Sequence, residues 1–196
     1  MAPEFDRSLS RRGALLGLLA SLVSRAAFAG GEIVPLALQV KLCGKVIEYD
    51  KNFRARARDR LKVGVLVDDR VSESRYTAMT LRRELDELGT VGNVPLSVEF
   101  IQNPAARALR AAVDLNHYGL LYVTPGFSER ASAYALALLG ADLITVSTMP
   151  ADVPNGIVLG VDLVSSQPKL WVNLSSAQNQ NVAFAPQALK LMRVYR

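Results

Sequence analysis

LKVGVLVDDR, residues 61–70, is an apolar run interrupted only by Lys62 and Gly64 and closed by two adjacent aspartates. Seven residues make a strand of ordinary length. A strand solvated on one face alternates apolar and polar residues. This one is apolar nearly throughout, as expected of a strand covered on both faces inside a parallel sheet. Such a sheet needs helical crossovers, and the sequence downstream supplies them.

Residues 76–89, YTAMTLRRELDELG, place Leu81, Leu85 and Leu88 on one helical face and end in Gly89, a helix terminator. Residues 96–101 alternate and predict a second strand. Asn103-Pro104 reads as a helix cap followed by proline at the first position, with Leu109 and Val113 facing inward. Residues 119–124, GLLYVT, form a third buried run. Ser128 reads as the cap of an alanine-rich helix that carries Leu136 and Leu139 and stops at Gly140, before a fourth strand at 143–147. The order β-α-β-α-β-α-β predicts an α/β fold, a mostly parallel sheet with helices on both faces.

Beyond residue 150 the pattern changes. Residues 156–163 and 169–174 read as a C-terminal hairpin, and residues 185–195 as a final amphipathic helix with Leu189, Met192 and Val194 inward. Upstream, Pro35 opens an extra N-terminal helix over 36–49, whose polar Lys41, Lys45 and Glu48 make one solvated stripe. Cys43, the single cysteine, lies about 200° around the helix from either lysine. It therefore reads as a small buried hydrophobe rather than an activated thiol. Residues 50–60, DKNFRARARDR, show no apolar period and read as a solvated connector.

The first 29 residues have the three parts of an export signal: Arg11-Arg12, an apolar run over 13–23, and the small-x-small site Ala27-Phe28-Ala29. The run is too short to span a bilayer. The paired arginines fit the twin-arginine route, and an ordinary secretory signal shares the other features. Cleavage between Ala29 and Gly30 would leave one domain, residues 30–196, in the periplasm. The 196-residue chain carries a formal charge of +5, and removal of the leader leaves about +3. That balance points away from nucleic acid as a partner.

Ligands of open parallel sheets collect at the carboxyl ends of the strands. Asp68, Asp69, Thr124 and Ser147 stand there and are the candidate ligand cleft. A phospho-receiver would need an aspartate where Thr124-Pro125 stands. His117 is the sole histidine, there is no G-x-S-x-G elbow, and there is neither a P-loop nor a dinucleotide fingerprint. No catalytic set, cofactor site or metal site is expected.

Several short motifs, in order, resemble the YfiR family of small periplasmic proteins (domain of unknown function 4154). Lys45-Val46-Ile47-Glu48-Tyr49-Asp50 matches its first-helix ending, with aspartate where the family usually has proline. Residues 144–147, ITVS, match a strand, as do Gly156-Ile157 and Val172-Asn173-Leu174. Leu189, Leu191, Arg193 and Val194 match the closing segment. The resemblance runs over residues 36–195. It departs at Trp171, where the family often has glutamate, and in cysteine content, since the best-known member carries disulfides. It implies a non-enzymatic regulator that binds the periplasmic region of an inner-membrane diguanylate cyclase or histidine kinase, restraining cyclic-di-GMP output and biofilm formation. A homodimer is also implied. The Lys41, Lys45 and Glu48 stripe is the candidate partner face. The alternative is a periplasmic small-ligand receptor or degenerate enzyme using the strand-end cleft.

Overall fold

A computed structural model describes residues 34–196. The expected leader, with Arg11, Arg12, Ala29 and Gly30, lies outside the described residues. The elements are α1 (Leu36–Ile47), α2 (Phe53–Ala57), β1 (Leu61–Val67), α3 (Ser72–Leu88), β2 (Thr90–Val91), β3 (Val94–Gln102), α4 (Ala106–Asn116), β4 (Leu120–Val123), α5 (Ala131–Ala137), β5 (Ile144–Ser147), β6 (Leu159–Val164), β7 (Gln167–Asn173), α6 (Leu174–Asn179), α7 (Pro186–Leu189) and β8 (Arg193–Tyr195).

One sheet runs in the order β2-β3-β1-β4-β5-β6-β7-β8. The central strands β3, β1, β4, β5 and β6 are parallel. β2 is antiparallel to β3 and β7 is antiparallel to β6, while β8 lies parallel to β7. β1 sits between two parallel partners, which is why its sequence is apolar on both faces. Val63, Val65 and Val67 join the core layer that contains Val40, Ile47, Leu81 and Leu85 of α1 and α3. Leu66 of the same strand joins the opposite layer, with Leu109 and Val113 of α4 and Tyr134 of α5. Helices therefore cover both faces, as the sequence predicts.

Four local readings are corrected. Residues 50–60 are not a bare connector: they include α2, with Phe53, Arg56 and Ala57 buried. Its helical turn is too short to show a period, and Arg56 is held by partners far away in sequence. The helix after β3 begins at Ala106 rather than at Pro104. Asn103 instead adopts a positive φ of 33° and accepts a hydrogen bond from Arg130. Ser128 opens a 3₁₀ turn, its side chain caps nothing, and α5 follows from Ala131 with Leu136 and Leu139 pointing out to solvent.

The C-terminal segment is the fourth. The hairpin forms through the two-residue turn Ser165-Ser166, both with positive φ. The single helix expected over 185–195 shrinks to the four-residue α7, and a short α6 not expected from the sequence precedes it, directly after β7. Residues 193–195 then become strand β8, with the Arg193 guanidinium 4.7 Å from the centre of the Trp171 ring. Met192 is buried as expected, whereas Val194 is exposed. Trp171 packs half-buried against Tyr195, with ring centres 5.2 Å apart.

Cys43 is fully buried, and burial pushes its thiol up to about 12. The unfolded thiol ionises near 8.5, so this group's contribution to stability is complete below that pH and is lost as pH rises toward 12. At pH 8 the native protein should leave a disulfide-exchange reagent such as DTNB unreacted, with one thiol appearing on unfolding in guanidinium. Labelling of native protein at the rate of a free thiol would contradict the buried placement.

Candidate functional site

The strand-end residues do not form one open cleft. Asp68, at the end of β1, has its carboxylate clamped by Arg70, whose Nε donates to Oδ1 at 3.0 Å and Nη2 to Oδ2 at 2.8 Å. The Arg70 backbone N–H donates to Oδ1 at 3.1 Å. Arg130 Nη2 adds a bond to Oδ2 at 3.2 Å, and its guanidinium sits 4.5 Å from the centre of the Phe127 ring. The Arg70 side-chain bonds are the main cause that holds the Asp68 carboxyl down at about 2; burial opposes them, and the Arg70 N–H and the two arginine charges assist.

Thr124 is nearby but is occupied. Its hydroxyl donates to the Leu66 carbonyl at 2.7 Å. The Ser74 hydroxyl, 2.6 Å from Thr124 Oγ1, must then be the donor of that pair, and it accepts from the Asp68 backbone N–H at 2.9 Å. This chain of bonds ties β1, α3 and β4 together. Asp69 points aside. With the Gln102 amide nitrogen facing it, Gln102 donates to both its oxygens, at 3.2 and 3.0 Å. Ser147 belongs to a separate buried pair, donating to Asp152 Oδ2 at 2.6 Å and accepting from the Met149 N–H at 3.0 Å. Asp152 is fully buried, and its Oδ1 has no protein partner. Sequence position alone placed Asp68, Asp69, Thr124 and Ser147 at one end of the sheet. It did not reveal Ser74, Arg130 and Asp152, which occupy their polar atoms from other elements.

The α1 stripe lies in a different kind of place. Lys41, Lys45 and Glu48 edge a concave groove of about 460 Å³. Its inner wall is apolar: Gly44, Leu88 and the buried Val91. Gly44 keeps α1 close to the end of α3, because a Cβ there would meet Leu88 Cδ2 at 3.2 Å. The far wall is the β2–β3 turn, Gly92-Asn93, with φ of 54° and 65°. A two-residue turn with both φ positive favours Gly and Asn, and Val-Gly-Asn-Val was the signal in the sequence that could have found it. The Glu48 carboxylate accepts from Lys45 Nζ at 3.4 Å and from the Gly92 N–H at 3.3 Å. A second hollow of about 230 Å³, lined by Phe53, Arg54 and Asp50, shares Glu48, Gly92 and Asn93 with the first.

His117 closes α4 in the left-handed conformation, φ 56° and ψ 49°. It lines a polar hollow of about 330 Å³ with Arg58, Asp114 and Asp142, at the opposite end of the sheet from Asp68. Among the described residues no cluster of three or more His, Cys, Asp or Glu is arranged to hold a metal ion.

The sequence profile of the YfiR/HmsC-like family (domain of unknown function 4154) matches residues 47–193, three-quarters of the chain. The chain belongs to the YfiR/HmsC-like family. This family is periplasmic and regulatory rather than catalytic. Its profile begins at Ile47, inside the α1 motif, and ends within β8. No curated protein matches the chain in sequence.

Solved structures share the fold at low identity. An ABC domain from Streptococcus pneumoniae, solved in complex with L-Trp, superposes with a TM-score of 0.60 at 13% identity, over 82% of this chain and 62% of that one. A conserved domain protein from Vibrio cholerae O1 biovar El Tor gives 0.60 at 10% identity, over 83% and 60%. A ligand-free, open substrate-binding protein with adhesive properties from Clostridium difficile gives 0.52 at 9% identity, over 74% and 58%. This YfiR/HmsC-like chain thus spans about three-fifths of the length of those neighbours, and the likeness is one of fold. Among the described residues no helix is long and apolar enough to cross a membrane.

Asp68 gives a pH test. A carboxyl held near 2 contributes stability above its unfolded value of about 4 and loses it as pH falls through 2. The gap in urea midpoint between wild type and Asp68→Asn should be widest at pH 5 and above and should narrow steadily toward pH 2. A gap constant over that range would contradict the clamp.

Proposed function

We propose that this YfiR/HmsC-like protein is an exported, non-enzymatic regulator that binds the periplasmic region of an inner-membrane signalling protein, a diguanylate cyclase or a histidine kinase. In the cyclase case it restrains cyclic-di-GMP output and biofilm formation. Self-association as a homodimer belongs to the same reading, as does removal of the leader after Ala29. Membership of a periplasmic regulatory family supports it.

The observation that carries it is the state of the strand ends. In this fold a small ligand or substrate would be expected there. Asp68 is clamped by two arginines, and the hydroxyls of Thr124 and Ser147 are spent on Leu66 and Asp152. A receptor or degenerate enzyme would need those polar atoms free for its ligand, so that alternative is the weaker one. A surface regulator needs none of them. It acts by favouring one state of its partner, and its leverage equals its difference in affinity for the two states.

Deletion of the gene should change cyclic-di-GMP level or kinase output several-fold. The full chain should restore it, while a chain with Arg11→Lys and Arg12→Lys, which the twin-arginine route would no longer export, should not. Unchanged output on deletion, with no inner-membrane protein crosslinked to the exported chain, would sink the proposal.

A further inference from the structure

The charge around the paired grooves is one-sided. Lys41 and Lys45 edge the larger groove and Arg54 the smaller. Lys45 has 80% of its side chain exposed. Against these three cations stand two carboxylates. Asp50 is buried and paired with Arg56. Glu48 already accepts from Lys45 and from the Gly92 N–H. The rim therefore keeps a surplus of positive charge above an apolar wall of Leu88 and Val91.

The fold does not require these cations. An exposed Lys-Glu pair three residues apart adds little to stability. Burial of Val46 and Ile47 on the same helix contributes far more. α1 would hold its place with neutral residues at positions 41 and 45. The concavity, however, is fixed by backbone: Gly92 needs its positive φ, and a Cβ there would meet Phe53 Cε1 at 2.8 Å. A preformed hollow with an apolar wall and a cationic rim suits a chain segment that carries apolar and acidic side chains together, since opposite charge sets encounter and register and apolar burial supplies affinity.

We propose that the groove between α1 and the β2–β3 turn docks an acidic, leucine-like segment of the partner protein, its carboxylates on Lys41, Lys45 and Arg54 and its apolar side chains against the half-buried Leu88. This rests on the regulator reading above and adds the surface and the chemistry of the partner.

The test uses the exported full-length protein and a fluorescein-labelled peptide of alternating glutamate and leucine, with an alternating lysine–leucine peptide as control. The acidic peptide should bind by anisotropy, weaken with added salt, and bind roughly tenfold or more weakly to the triple variant Lys41→Glu, Lys45→Glu, Arg54→Glu. Arg107→Glu, on α4 across the sheet, should bind as wild type. In cells the triple variant, exported and with an unchanged melting temperature, should behave like the deletion. Equal binding of both peptides, or binding unaffected by the triple variant, would overturn the docking site. So would binding through the same cations to phosphatidylglycerol vesicles in place of the peptide. If the triple variant regulates normally while deletion does not, the groove assignment fails and the regulator reading stands. If deletion itself has no effect, it is the regulator reading that fails.

Discussion

The buried guanidinium of Arg56 is the constraint around which the two ends of the described chain are arranged. Its side chain and that of Asp50 are almost wholly shielded from water and form an ion pair. Arg56 Nη2 also donates to Asp142 Oδ1 at 3.0 Å and to the Asn181 carbonyl at 2.8 Å. Asp50 Oδ1 accepts from the Ala183 N–H at 2.8 Å. Backbone bonds from Lys51 to Ala183 and from Ala185 to Tyr49 complete the join. A charge buried this deeply is tolerable only when paired, and removing one partner costs about 3–5 kcal/mol. Replacing both by apolar residues is often neutral, so the pair's value is where it directs the chain. It specifies that the C-terminal segment returns to the end of α1.

This explains the aspartate that ends the Lys45–Asp50 motif. The family pattern usually has proline there, which could provide neither the carboxylate nor the N–H that bonds to the Ile47 carbonyl. With Asp50 anchored, α2 turns back beneath β1, and Phe53 comes to rest against Gly92. One side of the groove is thereby fixed by the ion pair, and the other by the glycine-led hairpin. The strand ends across the sheet are stabilised quite differently, by hydroxyl and carboxylate bonds that leave little free to meet a ligand. The molecule thus combines a strand end whose hydroxyls are already bonded with a concave, cationic side face.

Much of the fold was legible because its signals are local. The apolar runs of β1, β4 and β5, the leucine spacing of α3 and the Gly89 stop each follow from periodicity within a few residues. The placement of Cys43 followed from helix geometry. What escaped was set by distant partners. α2 has no period of its own and depends on Asp142 and Asn181. β8 looked like the last turn of a helix, because alternating Leu, Met, Val and Tyr fit either period and pairing with β7 decided between them. The strand-end residues lay where the topology rule placed them, but a rule about position says nothing about which hydroxyl is already donating. The α1 stripe was visible as polarity on one face; its concavity came from the turn between β2 and β3, and β2, at two residues, is too short to register as a strand.

Amide hydrogen exchange on wild type and Arg56→Met tests the role of this ion pair most directly. In the variant the amides of Lys51, Ala183 and Ala185 should lose protection by a much larger factor than the Val65 amide in β1. A uniform loss at all four would contradict that role, since the pair would then support the whole domain without directing the C-terminal segment.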